Sequence, residues 1–166
     1  MCVLSYRIDA DTMKSLQKAQ KNEITEYHIY LKLSSFIKNE HNSKILQQVA
    51  QDELRHHNEL KMFTGTDKKP NTLKIYFYTL LSIIFGITFG IKLMERGEES
   101  SEKLYRELGN NIEEFNRIAK EEIKHERELV EIIEEERLKF VGSMVLGLND
   151  ALVELTGTLA GLPFAL

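Results

Sequence analysis

The chain has a single cysteine, Cys2, in 166 residues. It therefore carries neither a disulfide framework nor a Cys-x-x-Cys metal knot, and a reducing, cytoplasmic setting suits it. The N-terminus lacks a basic, apolar, cleavable pattern, so no signal peptide is expected. Net positive charge is missing too: the formal charge of −4 speaks against nucleic acid as a partner. The acid is concentrated, with fifteen Asp/Glu against eight Lys/Arg over residues 95–137. Most of these must lie on solvated helix faces, because a buried carboxylate needs a partner or a metal.

What is there is a pattern that occurs twice. Residues 46–56 read LQQVAQDELRH and residues 115–125 read FNRIAKEEIKH. Leu46 aligns with Phe115, Ala50 with Ala119, Glu53 with Glu122 and His56 with His125. Glu and His three apart share one helix face, a turn from each other, so both can reach one metal ion. The repeat extends upstream, where Glu23, Tyr30 and Leu33 match Glu98, Tyr105 and Leu108. The offset between copies is 75 residues there and 69 in the Glu-x-x-His segments, so the second inter-helix turn is shorter. Together the halves supply Glu23, Glu53, His56, Glu98, Glu122 and His125. Four carboxylates and two imidazoles are the complement of a di-iron or di-manganese site in a four-helix bundle.

Residues around this set are graded by the same repeat. Asp52 and Glu121 each lie four before a ligand histidine, on positions that can fix the imidazole tautomer, along their own helix or across the bundle. Tyr30 and Tyr105 are candidates for hydrogen bonds near the site, with plain core packing as the alternative. Glu26 matches Ser101 and reads as a solvated or accessory acid. Glu95 matches Gln20, so the duplication does not support it. His28, His41 and His57 have no counterparts and read as surface residues, and the run 134–136 reads as a charged helix face.

Apolar periodicity predicts helix A over 11–38 and helix B from about Lys44 to Phe63, stopped by Gly65 and Pro70. GNN at 109–111 separates helix C from helix D, which runs to about Lys139. The apolar stretch 73–91 approaches the length of a membrane span. A span there would put the two halves of the metal site on opposite sides of a bilayer, so a buried or membrane-apposed crossover into helix C is the preferred reading. Its Gly86 and Gly90 permit close helix approach. Residues 140–166 hold no Lys or Arg and have the length of a transmembrane helix, with a soluble docking helix as the alternative. Asp150 and Glu154 share one face there. At about 2.5–3.5 kcal/mol for an Asp mid-membrane, they suggest an ion path or partner helix. Arg137 and Lys139 would then hold the N-terminal domain on the cytoplasmic side.

DELRH at 52–56 resembles the (D/E)-E-x-R-H motif of di-iron carboxylate proteins. With EEIKH at 121–125, Glu23 and Glu98, residues 11–139 resemble the rubrerythrin branch of the ferritin-like superfamily. GLNDALVELTGTLAGL is similar to the first membrane helix of vacuolar iron transporters, and the whole resembles the membrane-bound ferritin-like proteins. That resemblance implies an all-α, ferritin-like four-helix bundle over 1–139 with a long B–C crossover. Residues 140–166 would begin an incomplete transporter domain. It also implies two iron (or manganese) ions bridged by Glu53 and Glu122, capped by His56 and His125, with Glu23 and Glu98 terminal and Glu95 an alternate ligand. The implied activity is oxidation of Fe(II) by O2 or H2O2 in membrane iron handling. A rubrerythrin-like peroxidase with an external electron donor is the alternative, since one cysteine cannot build a four-cysteine rubredoxin site. A homodimer through 73–91 is also expected.

Overall fold

The computed structural model describes residues 9–95 and 99–161. These form six helices and no strand, so the described chain is all-α. It divides into two compact units, Met1–Val130 and Glu131–Leu166.

In the first unit, helix α1 (Ala10–Phe36) starts where the Asp9 carboxylate accepts hydrogen bonds from the Asp11 and Thr12 amides, both at 2.9 Å. Such a cap satisfies amides that have no partner inside the helix. Helix α2 (Glu40–Thr64) is capped by Asn39 in the same way. The short connection makes the two helices antiparallel neighbours. At its far end the Thr64 hydroxyl donates to Gln20 Oε1 and the Gln20 amide donates to the Thr66 carbonyl, each at 2.8 Å.

Helix α3 (Thr72–Phe85) is capped by Asn71, whose own amide donates to the Thr25 hydroxyl at 2.9 Å. The chain turns at Gly86, where φ is +92° and ψ is 152°, a region nearly closed to side chains with a Cβ. Helix α4 (Ile87–Glu95) then folds back along α3. The two backbones come so close that a Cβ on Gly90 would lie 1.7 Å from Ser82 Oγ. Of the two glycines, only Gly90 therefore permits close approach, while Gly86 reverses the chain.

Helix α5 (Glu99–Gly109) and the first part of α6 (Glu113–Gly161) complete the unit. Leu16, Leu60, Tyr105, Leu108, Phe115 and Ile118 form a shared apolar core. Phe115 sits at its centre, 4.7 Å from the Phe63 ring and 6.2 Å from that of Tyr105. The repeat explains this, because Phe115 and Leu46 occupy equivalent positions and both are fully buried.

In the second unit, residues 131–161 are helical. Lys139 pairs with Glu135 at 2.9 Å. The Ser143 and Thr158 hydroxyls donate to carbonyls one turn earlier, at 2.9 and 2.7 Å. Apolar side chains from Phe140 to Leu159 are exposed, and so are Asp150 and Glu154. The expectation of a membrane-spanning helix over 140–166 is not carried. Among the described residues, no helix is long and apolar enough to cross a membrane. Asn149, Asp150 and Glu154 interrupt the run near its middle, and an aspartate there costs more than a leucine recovers. Residues 162–166 lie outside the described residues. The stretch 73–91 fails as a span for another reason: Gly86 divides it into two short helices.

Candidate metal centre

The centre lies where α1, α2 and α6 face one another. Helical spacing sets Glu53 and His56 one turn apart on α2, and Glu122 and His125 one turn apart on α6. Glu23 meets them from the middle of α1. Glu23, Glu53, His56 and Glu122 each offer one ligand atom, all within 4.8 Å of one another. His125 joins the group, its Nδ1 3.2 Å from Glu53 Oε1. The two imidazoles stack with centroids 5.8 Å apart.

The Nδ1 atoms point inward and the Nε2 atoms are tethered outward. His56 Nε2–H donates to Glu121 at 2.8 Å, and His125 Nε2–H donates to Asp52 at 3.1 Å. Both tethers run across the interface, so α2 orients the histidine of α6 and α6 orients that of α2. This exchange fixes the tautomer that leaves Nδ1 free for a cation.

Four buried inward atoms have no hydrogen-bond partner: Glu53 Oε2, His56 Nδ1, Glu122 Oε1 and His125 Nδ1. His56 Nδ1 and Glu122 Oε1 are 3.0 Å apart without hydrogen-bond geometry. Buried polar atoms are almost always satisfied, so unpartnered atoms on neighbouring carboxylates and imidazoles fit a cation between them. The donor set fits as well, since carboxylate oxygen and imidazole nitrogen are ligand types for iron and manganese. The buried group can hold a metal ion.

Electrostatics points the same way. Burial and the neighbouring Glu53 push the Glu23 carboxyl well above its usual range. Burial and the Glu53 charge also raise Glu122. Burial opposes ionisation of Glu53 too, but the neighbouring Glu23 carboxyl and the two imidazoles close to it hold its carboxyl low. Burial should depress His56, yet the Glu122 and Glu53 carboxylates outweigh it and push the imidazole up to about 11. His125 moves up for the same reason, with Glu53 as its main partner. Without metal, the centre holds protons where a cation would otherwise sit.

Tyr105 is fully buried, and its hydroxyl donates to Glu23; burial, together with that carboxylate, raises the phenol. Tyr30, its repeat counterpart, is equally buried on α1. Glu98 and the side chain of Glu95 lie outside the described residues.

One expectation needs correction. His57 is not a surface residue. It is buried, its Nδ1–H donating to the Gln20 carbonyl at 2.9 Å and its Nε2 3.3 Å from Asp67. Being next to His56, it points about 100° around the helix, into the α1–α2 seam. Glu26 is half-buried, as the accessory alternative has it. It lines a small pocket with Asn22, Lys74, Tyr78 and Met94, and burial with the Glu53 and Glu122 charges pushes its carboxyl well up. Its place one turn after Glu23 was the available sign. His28 is half-buried and His41 is exposed.

Arg55 carries a role that the repeat hides, because its counterpart is Lys124. Its guanidinium contacts Asp52 at 2.6 Å and Glu121 at 3.0 Å, and Glu59 lies at 3.8 Å. One cation thus clamps both carboxylates that orient the histidines. Against the opposing effect of burial, the hydrogen bonds from the histidines and from Arg55 hold both carboxyls low. Lys124 pairs instead with Glu128 on its own helix. No family model matches the chain, and no curated protein or solved structure matches it.

Proposed function

We propose that this chain is a ferritin-like, rubrerythrin-type protein that binds a pair of iron or manganese ions and oxidises Fe(II). The supporting observation is the set of four unpartnered inward atoms on Glu53, His56, Glu122 and His125, each histidine held from behind by a carboxylate of the opposite helix. Glu23, Glu53, His56, Glu122 and His125 would hold the ions, with Glu98 completing the set by the repeat. Bound metal would supply one-electron redox chemistry. As substrate, two Fe(II) would each yield one electron to O2, which with two protons would give H2O2 and two Fe(III).

The protein's own groups manage position and protons. Arg55 anchors Asp52 and Glu121, and these hold the imidazole Nε2–H bonds while Nδ1 faces inward. Tyr105 holds Glu23 at its outer oxygen. The Glu26 carboxyl lies beside the centre, raised by burial and by the Glu53 and Glu122 charges. The membrane setting of this reading now rests on exposed apolar surface and not on a spanning helix.

The test is metal stoichiometry followed by kinetics. Glu53→Ala with Glu122→Ala should abolish binding of the ion pair, and unchanged stoichiometry would overturn the reading. Fe(II) oxidation without turnover of a reductant is expected of the native chain. Sustained NAD(P)H-linked peroxide consumption would assign peroxide reduction instead.

A further inference from the structure

Helix α3 is amphipathic in the wrong direction for a soluble protein. The positions it turns inward include Thr79 and Ser82, both buried. Leu73, Tyr76, Phe77, Leu80, Ile83 and Ile84 instead expose more than half their surface. Their spacing of three and four residues places them on one continuous outer stripe. Burying such a stripe is worth far more than leaving it in water, at about 25 cal/mol per Å² of apolar area. Patches of this kind mark an interface.

The charge around the stripe indicates what covers it. From Lys68 to Met94 there is no Asp or Glu, while Lys68, Lys69, Lys74 and Lys92 are present, in a chain whose net charge is −4. Lys32 on α1 adds a fifth cation, its Nζ 4.7 Å from the Tyr76 ring centre. A second copy docked on the stripe would bring two lysine rims together. An anionic lipid surface satisfies both features, taking the apolar stripe into its acyl boundary and the lysines among its headgroups.

We propose that the outer face of α3, with Lys32 beside Tyr76 and the exposed Lys69 and Lys92 on the same acid-free segment, seats the protein on an anionic lipid bilayer. This contact requires neither bound metal nor the second unit, so it stands or falls separately from the metal centre.

The chain has no tryptophan, so Phe77→Trp provides a single reporter on the stripe in this chain. With vesicles of phosphatidylcholine and phosphatidylglycerol, the indole emission should shift to the blue and be quenched by brominated acyl chains. Pure phosphatidylcholine should bind more than tenfold more weakly, and Lys32→Glu with Lys69→Glu should remove that preference. Both positions are exposed, and metal content reads the fold of the variants independently. A protein that pellets with vesicles while the emission of the Phe77→Trp reporter stays unshifted would overturn the proposal. So would a blue shift that follows protein concentration in the absence of lipid, which would assign the stripe to a second copy.

Discussion

At the scale of single residues, the centre depends on a cation that coordinates nothing. Arg55 neutralises Asp52 and Glu121 together, and they in turn fix His56 and His125. Arg55→Ala should weaken metal binding by about tenfold or more, the usual cost of losing support behind a ligand histidine. Its effect on folding should be near ~1 kcal/mol, because the side chain is 42% exposed and solvent screens the pairs. Titration of metal with a competing chelator, alongside denaturant unfolding, separates the two effects. The pH dependence follows from the direction of each shift. His56, raised to about 11, adds stability below its unfolded value near 6.5, and that stability is lost as pH rises through about 11. Glu23 and Glu26 are also raised, so ionising them costs stability in the same upward direction. The Tm of the metal-free protein should therefore fall from about pH 6.5 towards alkaline values. The gap to the metal-loaded form should widen over the same range, since metal replaces those protons. Parallel Tm series would refute this if the gap stayed constant.

At the scale of elements, the repeat makes two helix pairs legible because a period of about 3.6 residues projects directly onto a face. The segment between them was less legible. A largely apolar run from 73 to 91 gives length without direction, and only the positive φ of Gly86 shows that the chain reverses there. Periodicity likewise could not show which face of α3 turns inward, since that depends on what α1 presents to it. Close packing of α3 on α4 rests on Gly90. Gly90→Ala should cost about 1–3 kcal/mol, because its Cβ would lie 2.9 Å from Ser82 Cβ and the helices must part. Adding Ser82→Gly should recover part of that loss. Thermal unfolding of the single and double variants measures the coupling, and strictly additive losses would show that the contact is unimportant.

At the scale of the whole molecule, the two units differ in what they do with apolar side chains. The first gathers Leu16, Leu60, Phe115 and Ile118 inside, whereas from Phe140 onward the second leaves them outside. A chain shortened to end at Lys139 should stay folded and keep its full metal stoichiometry while losing any need for detergent. Elemental analysis and size-exclusion chromatography check both, and loss of metal would show that the later residues support the centre. Sequence alone determined which side chains could serve as ligands and that their pattern is doubled, because residue type and helical spacing are local properties. It also showed Asp52 and Glu121 as supports. Only the tertiary structure decided that each reaches across to the other helix's histidine, that Arg55 ties them together, that His57 and Glu26 turn inward, and that α3 faces outward. Those outcomes depend on which helices become neighbours, and contacts between residues 65 or more apart are set by packing that no local pattern contains.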